Sequence, residues 1–292
     1  MIYELRHVTT YGYSRPVPFS RCILRLLPRD GSGQRVLKSE LLITPRPAER
    51  NDGLCFFGNH MTTITITKPH RELKLEMRAR IEVDRPPPPH AGLTRNWEDV
   101  AALALGSRSL APDSPAHHLY PSRLVPHVPA VIDYARSSFA AGRPVLEAAC
   151  ELMARIRRDF TYDPEATEVT TPLAEAFAQR HGVCQDFAHI MIAGLRGLGL
   201  PAAYVSGYIR TIPPPGQKRL EGADASHAWA MLWCGPETGW VGLDPTNNLI
   251  VADDHIVTAF GRDYADVAPL DGVVIGPGTQ KVGVAVDVVP VG

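Results

Sequence analysis

Gly182-Val183-Cys184-Gln185-Asp186-Phe187-Ala188 is the stretch whose reading decides the fold. A turn-forming pair runs straight into an amphipathic helix there. Phe187, Ile190, Met191, Gly194, Leu195 and Leu198 recur at helical spacing, and Gly199 followed by Pro201 supplies a stop. Cys184 therefore falls in the first helical turn, where unpaired N–H groups and the positive end of the helix dipole favour a negatively charged sulfur. That is where a reactive thiol would be placed.

Working outward, Ser226-His227-Ala228-Trp229-Ala230 opens one strand-like run, and Trp240-Val241-Gly242-Leu243-Asp244-Pro245-Thr246 closes another. Thiol chemistry needs a base to take the proton and a carboxylate to hold the imidazole tautomer, and His227 and Asp244 supply both residue types. If Cys234 opposes Gly239 across the loop Gly235-Pro236-Glu237-Thr238, His227 opposes Thr246. Asp244 is then its diagonal neighbour on the same face, within about 7–8 Å. His181 and His189 compete for the base role but are poorly aimed: His181 lies in the cysteine's own turn, and His189 sits about 140° round the helix from Cys184. An Asp-Pro turn starter is the plain alternative for Asp244.

At these residues the chain resembles the transglutaminase-like superfamily, whose core is papain-like, and in particular its bacterial members described as cysteine proteases. Pro28 to Val36, Phe57-Gly58-Asn59, Tyr204-Val205-Ser206-Gly207-Tyr208 and Gly261 to Val267 also look like that family, so the resemblance runs almost from end to end. It implies that Cys184, His227 and Asp244 correspond to a catalytic triad. It also implies a bacterial N-terminal β domain ahead of the papain-like core.

With 292 residues and 45% hydrophobic content, the chain can support two modest cores. A net charge of −1, without a basic block or acidic tail, gives no electrostatic recruitment of nucleic acid or anionic membrane. The absence of a leader-like opening and of a long apolar run leads us to expect a cytoplasmic protein. Cys22, Cys55, Cys150, Cys184 and Cys234 form an odd, widely spaced set that suits reduced thiols better than a disulfide framework or a zinc knuckle.

The expected fold class is α+β, an antiparallel β-sandwich followed by the cysteine-enzyme core. Residues 1–85 read as the β domain, most clearly in Leu73 to Asp84, where apolar and charged side chains alternate without a break. Strands are also expected at Tyr3 to Tyr13, Cys22 to Leu27, Val36 to Thr44 and Thr62 to Thr67. Arg85-Pro86-Pro87-Pro88-Pro89 ends that domain as a stiff connector. Residues 86–130 read as linker with a short helix, 131–270 as the core, and 271–292 as a C-terminal β hairpin or strand.

The expected reaction is acyl transfer at an amide of a peptide or protein substrate through a thioester, giving a peptidase or amidase if water resolves it and a transglutaminase if an amine does. A non-catalytic peptide-binding scaffold is the alternative. The Cys184 N–H is one natural oxyanion donor. Tyr162, Gln185 and Asp186 are further candidates for oxyanion or substrate contact, though a core tyrosine, a polar first-turn residue and an acid complementing the helix N-terminus explain them as well. Tyr204, Ser206, Tyr208 and Arg210 share a strand face that would line the cleft or simply pack, and Pro213 to Asp224 reads as a polar loop at the entrance. No cofactor or metal is called for: the gaps between Cys184, His227 and Asp244 lack zinc-site spacing, and no calcium loop is present.

Overall fold

The alternation in Leu73 to Asp84 becomes the centre of the first domain in the computed structural model, which describes residues 1–31, 33–168, 170–211, 222 and 225–291. Within β6 (His70–Val83), the alternating Leu73, Leu75, Met77, Ala79, Ile81 and Val83 are buried. β6 pairs with β1 (Ile2–Val17) and β3 (Gln34–Thr44), and β1 takes β15 (Gln280–Pro290) on its other side. A second antiparallel sheet, ordered β14-β2-β5-β4, contains β2 (Phe19–Leu24), β4 (Glu49–Leu54), β5 (His60–Ile66) and β14 (Leu270–Ile275). The sheets close over Tyr3, Leu24, Ile64, Ile66, Leu75 and Met77, which makes a sandwich.

Two features depart from the sequence reading. β4 is exposed along its whole length, so Glu49-Arg50-Asn51-Asp52-Gly53-Leu54 has no buried face and no alternation to reveal it. Of the hairpin or strand expected at 271–292, the strand forms and the hairpin does not: β14 joins β2 in one sheet while β15 joins β1 in the other. Each strand completes a sheet edge, and Val286 and Val288 of β15 reach the sandwich core.

The core brings together α1 (Trp97–Leu105), α2 (Pro129–Arg136), α3 (Val145–Asp159), β7 (Thr161–Tyr162), α4 (Leu173–Gln179), β8 (His181–Gly182) and α5 (Cys184–Gly197). Beyond them lie β9 (Ala202–Ile209), β10 (Ala225–Trp233), β11 (Trp240–Asp244), β12 (Leu249–Ile250), β13 (His255–Gly261) and α6 (Tyr264–Val267). The five strands from β9 to β13 form one sheet ordered β12-β11-β10-β9-β13. Apolar residues of α2, α3 and α5 share a core with Ala228, Leu232 and Leu243 of that sheet. α5 is the central helix, buried from Gln185 to Arg196, which fits its hydrophobic periodicity extending round much of its circumference.

β13 is an edge strand of this sheet, and the sandwich covers it with side chains in place of another strand. Gln34 Nε2 donates to the Val257 carbonyl at 2.9 Å while its Oε1 accepts from Val257 N at 2.8 Å. Asn59 does the same with Phe260, at 2.7 and 2.9 Å. A buried contact of 2.7 Å between His7 Nδ1 and the Tyr208 hydroxyl joins the same two bodies. Gly207 allows the close approach of β9 and β13, because a Cβ there would lie 2.1 Å from the Ile256 carbonyl.

Candidate active site

Cys184 is the first residue of α5, entered from Val183 in extended backbone conformation. The turn before it is fixed twice. β7 and β8 pair in parallel, setting Tyr162 beside Gly182, and the Asp186 carboxylate folds back so that its Oδ2 accepts from Val183 N at 2.9 Å and from the Thr167 hydroxyl at 2.6 Å. Such a reach back from the third helical position satisfies a backbone donor that the helix itself leaves open.

His227 and Asp244 arrive on neighbouring antiparallel strands. Trp233 opposes Trp240 and Ala230 opposes Leu243, and Cys234 N donates to the Gly239 carbonyl, so the loop is Gly235 to Thr238 and continuing the register sets His227 opposite Thr246. The ring's Nε2 donates to Asp244 Oδ2 at 2.8 Å. The ring also makes a hydrogen-bond contact with the Cys184 thiol, for which Nδ1 is the remaining nitrogen. Burial opposes a charge on this ring, but the contacts with Asp244 and Cys184 outweigh it and raise its pKa from 6.5 to about 9. Burial works against the Asp244 charge too; hydrogen bonds from His227 and His255 outweigh that and hold the carboxyl below the usual range.

Asp244 is fully buried, and its two oxygens divide the work. Oδ1 accepts from the backbone N–H groups of Thr246 and Asn247, at 3.0 and 3.2 Å, which is the turn expected of Asp-Pro. Oδ2 accepts from His227, from Asn247 Nδ2 at 2.7 Å and from His255 Nε2 at 3.2 Å. His227, Asp244 and His255 also have the ligand types and proximity of a metal site. Their nitrogens, however, point at one oxygen that bonds them, and hydrogen bonding accounts for the grouping.

Residues 3–82 match the family described as the bacterial transglutaminase-like N-terminal region, and residues 132–245 match the transglutaminase-like superfamily. An uncharacterized protein of Mycobacterium tuberculosis is 40% identical over 295 aligned positions, covering 99% of this chain and 92% of that one. The chain belongs to the transglutaminase-like superfamily. Its fold is also that of the crystal structure described as "a Putative Cysteine Protease from Cytophaga hutchinsonii", with a TM-score of 0.76 at 20% identity over 100% of this chain and 92% of that one. A protein-glutamine gamma-glutamyltransferase of Pseudomonas aeruginosa is 34% identical over 103 residues, which is 32% of this chain and 15% of that protein.

Within this transglutaminase-like core, the other candidates separate. Tyr162 lies near Cys184, half-exposed, with its ring perpendicular to that of Phe187. Asp186 is buried and committed to Val183 and Thr167, so its observed contacts are structural. Gln185 is largely buried beside the thiol. Tyr204 and Tyr208 are packed inside, against His189 and His7 respectively, rather than lining an open cleft. His189 accepts from Tyr264 N at 3.2 Å, and burial holds it down at about 4; His181 is exposed, with Nδ1 donating to the Gln179 carbonyl. Of the entrance segment Pro213 to Asp224, all but Gly222 lies outside the described residues.

Sequence reasoning missed His255 and Asn247. Asn247 carried a weak signal, standing in the turn that Asp-Pro begins. His255 carried none, since only the return of β13 alongside β9 brings it to Asp244.

Proposed function

We propose that this protein is a thiol acyltransferase or amidase in which Cys184 is the nucleophile, His227 the acid and base, and Asp244 the group that orients His227. The observation that carries this reading is one continuous contact chain: a cysteine opening a buried helix, the His227 ring against it, and a fully buried carboxylate 2.8 Å behind that ring.

The Cys184 sulfur, its proton held by His227, attacks an amide carbonyl carbon. Amide N–H groups of the first turn of α5 face the developing oxyanion, because a helix start leaves its donors unpaired. As the C–N bond breaks, His227 gives its proton to the departing amine and a thioester remains on sulfur. His227 then takes a proton from water or from a second amine, which attacks the thioester and restores the thiol. Throughout, Asp244 keeps Nε2 protonated and turns Nδ1 toward sulfur.

Incubating the protein with a glutamine-containing polypeptide, with and without a fluorescent primary amine, tests this. Cys184-dependent amine incorporation identifies a transferase, and Cys184-dependent ammonia or peptide release without incorporation identifies a hydrolase. A wild-type protein that releases nothing, incorporates nothing and forms no covalent adduct with an electrophilic amide mimic would instead be the peptide-binding scaffold.

A further inference from the structure

We propose that His255 is a positioning residue for the reaction, a second histidine that locks Asp244 from a strand outside the hairpin that carries the triad; this rests on the triad reading above. His255 is buried and comes from β13, not from the hairpin that carries His227 and Asp244. Its Nε2 stands 3.2 Å from the same Oδ2 that receives His227. A carboxylate oxygen can only accept, so the shared proton belongs to His255 Nε2. Nδ1 is buried without a hydrogen-bond partner among the described residues, so the contact with Asp244 is the one side-chain hydrogen bond that the ring makes there.

What remains without His255 explains its role. Oδ2 would keep His227 and Asn247, and Asn247 stands on an exposed turn. Oδ1 would keep the backbone N–H groups of Thr246 and Asn247, so every remaining partner of the carboxylate would lie on its own hairpin and turn. The His227 ring takes its direction from Oδ2, and without the tie to β13 that oxygen shifts with the turn and Nδ1 loses its aim at sulfur. His255 itself cannot swing. Trp229 meets its ring edge-on at 5.2 Å, and Arg85 Nη1 donates to its carbonyl at 2.7 Å and to that of Ala252 at 2.8 Å. Arg85 ends the N-terminal β region, so the sandwich is connected to the orientation of His227 through β13, His255 and Asp244.

The test uses p-nitrophenyl acetate, a small ester whose burst of nitrophenolate counts acylated Cys184 and whose steady state reports the water step that needs His227 as base. His255→Leu is expected to keep a full burst while its steady-state rate and its KM fall together by about tenfold, less than the roughly hundredfold cost of a 1 Å misplacement. His255→Gln, with an amide N–H near the position of Nε2, should recover most of the rate, and His255→Asn, one bond shorter, should not. Full steady-state turnover by folded His255→Leu overturns the proposal. So do equal rates for His255→Gln and His255→Asn, and this pair decides the matter if His255→Leu does not fold. A wild-type protein without a burst, or a burst that survives Cys184→Ala, defeats the triad reading itself and is distinguishable from either result.

Discussion

Gly182 and Asp186 occupy each other's space: a Cβ at position 182 would stand 2.6 Å from Asp186 Oδ2. The carboxylate lies over the bare glycine backbone because it must reach Val183 N, and in doing so it fixes the turn that delivers Cys184. Gly182→Ala should therefore be destabilising even though alanine suits the local backbone. Asp186→Ala removes acceptors from Val183 and Thr167 and should cost about 1–3 kcal/mol. In urea titrations the double variant should be less destabilised than the sum of the two, because the clash disappears with the carboxylate. Strict additivity would show that the two residues do not compete for space.

The five thiols should separate by reactivity. Burial pushes Cys22 up to about 11, and raises Cys150 and Cys234 as well. Cys184 is partly accessible and touches His227. Peptide mapping after brief iodoacetamide treatment near neutral pH should find the label at Cys184 first; prior labelling of any other cysteine in folded protein would remove it as nucleophile.

Substitution of the reacting groups should be graded. Cys184→Ala and His227→Ala should each reduce turnover by on the order of 10⁴-fold or more, and Asp244→Asn somewhat less, since losing the orienter spoils alignment without deleting a reacting atom. His189→Gln should stay near wild type. Full activity in His227→Ala would move the base elsewhere.

The pH dependence follows from the raised His227. A group whose folded pKa lies above its unfolded value stabilises the fold fully below the unfolded value of about 6.5, and that contribution disappears as pH rises through about 9. Thermal stability should thus decline across this interval in wild type and decline less in His227→Ala. Turnover should fall on the alkaline side near 9 as the ring loses the proton it gives to the leaving amine. Asp244 has the opposite sense: its depressed pKa gives stability above the ordinary carboxylate range that is lost on acidification. Parallel melting curves against pH for the two proteins would contradict the His227 assignment.

Much of the site could be read from the chain because its parts are local. The periodicity of Phe187 to Leu198 sets the helix, the loop Gly235 to Thr238 sets the register, and together they place the His227–Asp244 pair. β4 stayed hidden because a fully solvated strand leaves no hydrophobic period. The packing of Tyr204 and Tyr208 was also undecided, since a shared strand face does not reveal what covers it, and here His189 and His7 do. His255 depends on β13 lying beside β9, a long-range pairing that no local pattern announces.

Gln34 and Asn59 have a consequence for how this protein can be divided. Each presents one amide face to an open backbone edge, so the five-stranded sheet of the core ends on two side chains donated by another module. Cutting the chain in the proline connector would not liberate a self-sufficient core: it would bare a sticky β13 border able to recruit foreign strands. Recombination faces the same limit. A replacement front module would have to bring two carboxamides at the spacing of Val257 and Phe260, which makes the two regions inseparable cargo in any gene rearrangement that preserves the fold.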